Sequence, residues 1–162
     1  MKLSTKGRYA VMAMADLAAR QASGCVCGPV CLAEIAARQQ LSLSYLEQLF
    51  GKLRRAGLVA SARGPGGGYR LARPAGTIAI ADIVGAVEES IRTTRCDVEA
   101  GGCMVGANGT SGPCQTHDLW EELGRQILFF LEGVTLADVV AQHVAGRAVR
   151  LPVRPGQLAV PC

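Results

Sequence analysis

Apolar residues in this chain recur at helical spacing along most of its length, and the places where that spacing breaks mark out the elements. From Thr5 to about Arg20 the pattern predicts a helix capped by Ser4 or Thr5, with Tyr9, Met12, Ala13 and Leu17 on its buried face. A turn marked by Gly24, Gly28 and Pro29 leads to a short helix around Leu32–Gln39, with Leu32, Ile35 and Ala36 inward. After a break at Gln40–Leu43, residues Leu46, Leu49, Phe50 and Leu53 fall at i, i+3, i+4 and i+7, one stripe of a third helix over about Ser44–Ala56. Gly57 suits the left-handed cap that would end it. The period then changes, and Leu58–Arg63 and Tyr69–Arg73 predict two strands around the loop Gly64-Pro65-Gly66-Gly67-Gly68. Three helices followed by a hairpin is the order of a winged helix-turn-helix.

The second half repeats the helical pattern around a glycine-rich interruption. Thr77–Ile80 reads as a short extended segment before a helix near Ala81–Glu89, and a longer helix is predicted over His117–Glu132. Within and just beyond it, Trp120, Leu123, Ile127, Phe130 and Val134 recur at spacings 3-4-3-4, a seam for a partner helix. Two heptads also fit packing on the same subunit, and with Leu128 and Leu131 the stripe is broad enough for both neighbours. Thr135 caps a last short helix over Leu136–His143, which leaves His143 at the surface. The expected class is mainly α with a small β-hairpin wing: a winged helix-turn-helix domain plus a long C-terminal dimerisation helix. Residues 1–76 form the first unit and residues 77–145 the second. The proline-rich, basic tail 146–162 is expected to be disordered.

Charge divides the chain in the same place. Residues 1–73 hold 11 Lys and Arg against 3 Asp and Glu, a net of +8, while residues 74–162 hold 6 against 10, a net of −4. A basic module joined to an acidic one points to polyanion binding coupled to a separate regulatory or assembly unit. On the outer face of the third helix stand Tyr45, Glu47, Gln48, Lys52 and Arg55. In a major groove Gln and Ser bond base edges and Glu accepts from a cytosine amine. Lys52 and Arg55 would neutralise phosphates, with Ser42 and Ser44 donating to phosphate oxygens. The tip residues Gly64, Gly66 and Gly67, between Arg63 and Tyr69, would let backbone approach the duplex while Arg63 enters the minor groove. A nucleotide-phosphate loop would need a following Lys-Ser/Thr and a helix, which this loop lacks. A protein-binding winged domain is the other reading.

The glycine-rich interruption carries the chemistry. Cys96, Cys103, Cys114 and His117 are spaced Cys-x6-Cys-x10-Cys-x2-His in a segment nearly free of bulky apolar residues. Thiolates with an imidazole are ligands for zinc or an iron–sulfur cluster, and the segment has little core of its own. Scattered thiols or a disulfide would be the unremarkable alternative. At 49% hydrophobic and 19% charged the chain is globular, and it has no apolar run of membrane-spanning length. Lys2, Lys6 and Arg8 before Tyr9–Ala15 imitate a signal peptide, but Asp16 interrupts the run, so a mature helix in a cytoplasmic protein is expected. In a reducing cytosol seven cysteines favour metal ligation over disulfides. No substrate pocket or acid–base pair is readable, so neither a small-molecule substrate nor enzyme activity is expected.

Four segments carry a family likeness: M-K-L-S-T-K-G-R-Y-A-V at 1–11, S-L-S-Y-L-E-Q-L-F at 42–50, R-G-P-G-G-G-Y at 63–69 and C-Q-T-H-D-L-W at 114–120. Over roughly residues 1–145 the chain resembles the iron–sulfur cluster regulators among the Rrf-type winged-helix transcription factors. The resemblance implies a homodimeric repressor or activator of double-stranded promoter DNA, governing iron–sulfur biogenesis genes. It also implies a [2Fe–2S] cluster, whose ligands would match Cys96, Cys103, Cys114 and His117. DNA-contacting positions would match Ser42, Ser44, Glu47, Gln48 and Arg63, and Glu47 resembles a discriminator between two classes of site. Cluster binding would order the 96–117 loop, which feeds directly into the dimer helix. The Cys103–Cys114 spacer is longer than the family's usual one, and Cys25, Cys27, Cys31 and Cys162 lie outside its pattern. Nitric-oxide-sensing relatives take their fourth ligand from an acidic residue early in the first helix, where this chain has Lys6 and Arg8. A zinc-stabilised module would also satisfy three cysteines and a histidine.

Overall fold

The computed structural model describes residues 5–22, 28–64, 66–87, 104–105, 111–112 and 115–144. Helix α1 (Thr5–Ala22) is followed by α2 (Leu32–Gln39), α3 (Leu43–Arg55) and an antiparallel hairpin of β1 (Val59–Ala62) and β2 (Gly68–Leu71). A 3₁₀ turn at Ala75–Thr77 leads into α4 (Ile80–Val87), and α5 (His117–Gly133) and α6 (Leu136–Val140) complete the helices. A second, two-residue hairpin joins β3 (Met104–Val105) to β4 (Ser111–Gly112). The mainly helical class with a hairpin wing is as expected. The tail beyond residue 144 lies outside the described residues.

The α1 face differs from the expected one. Gly7, Ala10, Ala13, Met14, Leu17 and Ala18 are buried, whereas Met12 is exposed and Tyr9 half-buried. Four of the six buried residues are Gly or Ala, and this low relief lets α1 pack most extensively against α4. Buried Ile83, Val84 and Val87 form α4's inner face. One buried cluster therefore runs from Ala10 through α2 and α3 to Ile78, α4, Val134 and Leu136.

Two polar devices orient the helix-turn-helix. Arg38 of α2 donates to Asp16 of α1 from Nη2 at 2.6 Å and from Nε at 3.1 Å, and Gln39 Nε2 donates to the same carboxylate at 2.9 Å. The Asp16 side chain is only 7% exposed. Burial pushes its carboxyl up, but the hydrogen bonds from Arg38 and Gln39 and the charges of Arg38 and Arg20 overcome this and hold it below the usual carboxylate range. The turn to α3 begins at Gln40, in the left-handed region with φ 53°, where Leu41 N–H returns to the Ala36 carbonyl at 3.0 Å.

The C-terminal elements are stitched to the same body by backbone. Ile80 N–H donates to Val134 O at 2.9 Å and Leu136 N–H to Ile78 O at 2.8 Å, flanking an Ala79–Thr135 bridge. Thr135 caps α6 as expected, in a reciprocal box with Asp138. By contrast, no residue of α5 is fully buried among the described residues, although Leu131 packs half-buried against the core.

Candidate nucleic-acid interface and metal-ligand loop

The stripe Leu46, Leu49, Phe50 and Leu53 seats α3 in the core and thereby decides which side chains face out. Ser42 is the N-cap: its hydroxyl accepts from Tyr45 N–H at 3.3 Å and keeps its own proton to donate elsewhere. Ser44, Glu47, Gln48 and Arg55 are exposed. Tyr45 is half-buried, its ring set edge-on to Tyr9 of α1 with centroids 6.0 Å apart. The expected face is thus brought together, with Tyr45 serving also as a strut between α1 and α3.

One residue of the expected set is engaged within the protein, and one outside that set joins the exposed face. Lys52 is half-buried, and its Nζ donates to the Val87 carbonyl at the end of α4, 3.1 Å away. Arg54, absent from the expected set, is exposed, with Nη1 3.5 Å from Ser61 Oγ on β1. The signal was present: Arg54 lies two turns from Glu47 and so shares its stripe.

The wing is aligned by Val59–Leu71, Ala60–Arg70, Ser61–Tyr69 and Ala62–Gly68 pairs. Arg63, Gly64 and Gly66 are exposed at the tip, and both glycines take positive φ, 105° and 76°. Gly67 N–H closes the turn onto the Gly64 carbonyl at 2.8 Å. Tyr69 is half-buried: its ring meets Phe50 edge-on at 5.0 Å, and its backbone exchanges two 2.8 Å hydrogen bonds with Val30. Tyr69 therefore anchors the wing to α3 and to the turn before α2. Gly68 belongs to the same contact, since a Cβ there would run into the Val30 carbonyl group. Its missing side chain lets two stretches of this chain meet, a reason independent of any ligand.

Of the proposed metal ligands, Cys96, Cys103 and Cys114 lie outside the described residues. His117 opens α5, partly buried, with Nε2 3.5 Å from a Glu121 carboxylate oxygen. His117, Asp118 and Glu121 bring their donor atoms within 4.8 Å of one another. The β3–β4 register, Met104 opposite Gly112 and Val105 opposite Ser111, folds the long spacer back on itself. The chain enters this hairpin one residue after Cys103 and leaves it two residues before Cys114. By their chemistry, thiolates and an imidazole are donor types that suit an iron–sulfur cluster. Cys31, which the expected ligand set does not use, is an exposed free thiol at the N-cap of α2. No helix among the described residues is long and apolar enough to cross a membrane.

The Rrf2 family model, described as an iron-dependent transcriptional regulator, matches residues 3–142. A protein of Azotobacter vinelandii named as an HTH-type transcriptional regulator, ORF2, is 51% identical over 95% of this chain and 88% of its own length. The HTH-type transcriptional regulator IscR of Cronobacter sakazakii is 51% identical over 86% of this chain and 80% of its own. Among solved structures, T. potens IscR is similar at TM-score 0.64 and 39% identity, covering 88% of each chain. CymR, the global cysteine regulator of B. subtilis, is similar at TM-score 0.68 and 32% identity, over 88% of this chain and 98% of its own.

Proposed function

The chain belongs to the Rrf2 family of transcriptional regulators, and from that premise we propose that it is a cytoplasmic homodimer that binds promoter DNA, with site preference set by a [2Fe–2S] cluster. The observation that carries the reading is the exposed face of α3: Ser44, Glu47, Gln48, Arg54 and Arg55 stand outward beside a wing tipped by Arg63. Arginines there neutralise phosphates, Gln48 and the serines bond base edges or phosphate oxygens, and Glu47 accepts only from a base amine. Glu47 thus rejects sites that leave its carboxylate unpaired.

Dimerisation rests on α5. Leu119, Trp120, Leu128, Phe129 and Phe130 are each 40% exposed or more, an apolar surface that a second copy's α5 would cover. Two recognition helices about 34 Å apart would then read successive major-groove faces. Cys96, Cys103, Cys114 and His117 would hold the cluster, which when bound supplies a labile, oxidant-sensitive crosslink between the 96–117 loop and the first turn of α5. The residues themselves order that loop and fix where α5 begins, which is how occupancy reaches the dimer. The iron-dependent description of the family and the IscR relatives support this assignment.

The test is selection from a random duplex library by the cluster-loaded and the metal-free protein, with sequencing of the bound pools. Two overlapping but distinct pseudo-palindromic consensus sites are expected. Identical pools would overturn the cluster-dependent preference, and unselected pools would overturn sequence-specific binding.

A further inference from the structure

Gly51 occupies the centre of the outward face of α3. Ser44, Glu47, Gln48, Arg54 and Arg55, all exposed, stand at i−7, i−4, i−3, i+3 and i+4 from it, so they ring it on the helix surface. The buried stripe Leu46, Leu49, Phe50 and Leu53 lies on the opposite side. Apart from proline, glycine is the least favourable residue in a helix interior, because ordering its backbone costs the most entropy. Nothing among the described residues requires it here: a Cβ at Gly51 would meet no atom within 4 Å. Gly68 differs, since there the Val30 carbonyl group excludes a Cβ. What the hollow at Gly51 can hold follows from its chemistry. The N–H and C=O of an interior residue belong to the helix ladder, and this carbonyl also accepts from Arg55 Nε at 3.4 Å. No polar atom of the glycine is left to bond a base edge. What remains is a small apolar hollow rimmed by polar and charged side chains.

Resting on the DNA-binding reading above, we propose that Gly51 is a specificity-determining residue: its missing side chain lets α3 seat deeply in the major groove, with a thymine C5-methyl packed into the hollow. Among the groups that base pairs present in the major groove, that methyl is the apolar one, and it lies beside the donors and acceptors of the base edges. Ser44 and Gln48 then reach base edges around it, while Arg54 and Arg55 reach phosphates. A methyl group on residue 51 would hold the helix off by roughly the width of one carbon, lengthening every hydrogen bond around it at once. The hollow therefore fixes the depth at which the surrounding side chains read.

The experiment compares wild type and G51A, each as the full chain, by thermal melting and by fluorescence anisotropy on duplex DNA. The duplexes are a library-selected site, the same site with deoxyuridine replacing one half-site thymine at a time, and an unrelated sequence. Deoxyuridine removes only the C5-methyl. G51A should melt about 2–4 °C higher, since alanine is the better helix former. Its affinity for the selected site should fall roughly tenfold, with its affinity for the unrelated duplex and its salt slope unchanged. In wild type one of the deoxyuridines should weaken binding about fourfold, the effect of one buried carbon, and in G51A the same replacement should have no effect. Equal affinity of G51A and wild type for the selected site overturns the proposal. So does a melting temperature that fails to rise, which would mean that the fold itself needs the glycine. A loss in G51A that no deoxyuridine mirrors, or a selected site without thymine in its half-sites, puts something other than a thymine methyl in the hollow and overturns the proposal too. Wild type that binds selected and unrelated duplexes alike overturns the reading of sequence-specific DNA binding, and the proposal with it.

Discussion

Replacing Asp16 by Asn tests whether the helix-turn-helix is oriented by the clamp between α1 and α2. The carboxylate receives Arg38 through Nη2 at 2.6 Å and Nε at 3.1 Å, and Gln39 at 2.9 Å. Asparagine keeps the shape but removes the charge, and its amide nitrogen would face donors on both neighbours. A fully buried pair that loses one partner costs about 3–5 kcal/mol. Here Arg38 is 28% exposed, so water recovers part of its solvation. Hydrogen bonds to a charged group are worth about 1.5–3 kcal/mol net, which places the loss near 2 kcal/mol. For a chain of this size that lowers Tm by roughly 4–8 °C. Because Asp16 is held below its ordinary value, its contribution is present above the unfolded value near 3.9 and is lost as pH falls through the folded one. Thermal melts of both proteins from pH 7 to pH 3 should show a constant gap down to about pH 5 that narrows below it. Equal melting at neutral pH, or a gap undiminished in acid, would refute the clamp.

Further expectations follow from the wing, the recognition helix and α5. Gly68→Ala places a Cβ against the Val30 carbonyl and should cost about 2 kcal/mol with loss of the wing's docking; a calorimetric Tm matching wild type would count against that close approach. Glu47→Ala should relax preference by roughly 1–3 kcal/mol at the discriminated base pair, read by titrating operator variants, and parallel affinities across the panel would mean that Glu47 reads nothing. Phe130→Glu puts a charge on the exposed stripe of α5 and should shift sedimentation toward monomer with a weaker hold on palindromic duplex. An unchanged dimer would place the interface elsewhere.

What could be read from the sequence depended on residue size and on how local the determinant is. Leu46, Leu49, Phe50 and Leu53 announced the buried side of α3 because large aliphatic and aromatic residues at helical spacing leave one solution. The Thr135 cap and the turn at Gly57, φ 70°, were legible for the same local reason. The face of α1 was not: Gly7, Ala10, Ala13 and Ala18 are too small to signal burial, and Met12 drew attention to the wrong side. The structural contacts of Lys52 and Tyr69 were not legible because their partners, Val87 and the Val30–Phe50 corner, come from distant parts of the chain. The wing glycines were recognised as a close approach, but for Gly68 the thing approached is Val30. The hairpin between Cys103 and Cys114 was not legible, since Met104–Val105 and Ser111–Gly112 are too short to carry an alternating pattern.

Anaerobic purification followed by iron, acid-labile sulfide and zinc analysis tests the proposed metal centre most directly. Wild type should hold iron and sulfide in equal amounts with a visible charge-transfer spectrum, and Cys96→Ala, Cys103→Ala, Cys114→Ala and His117→Ala should each reduce both. Stoichiometric zinc without sulfide, or full cluster retention in Cys114→Ala, would contradict it.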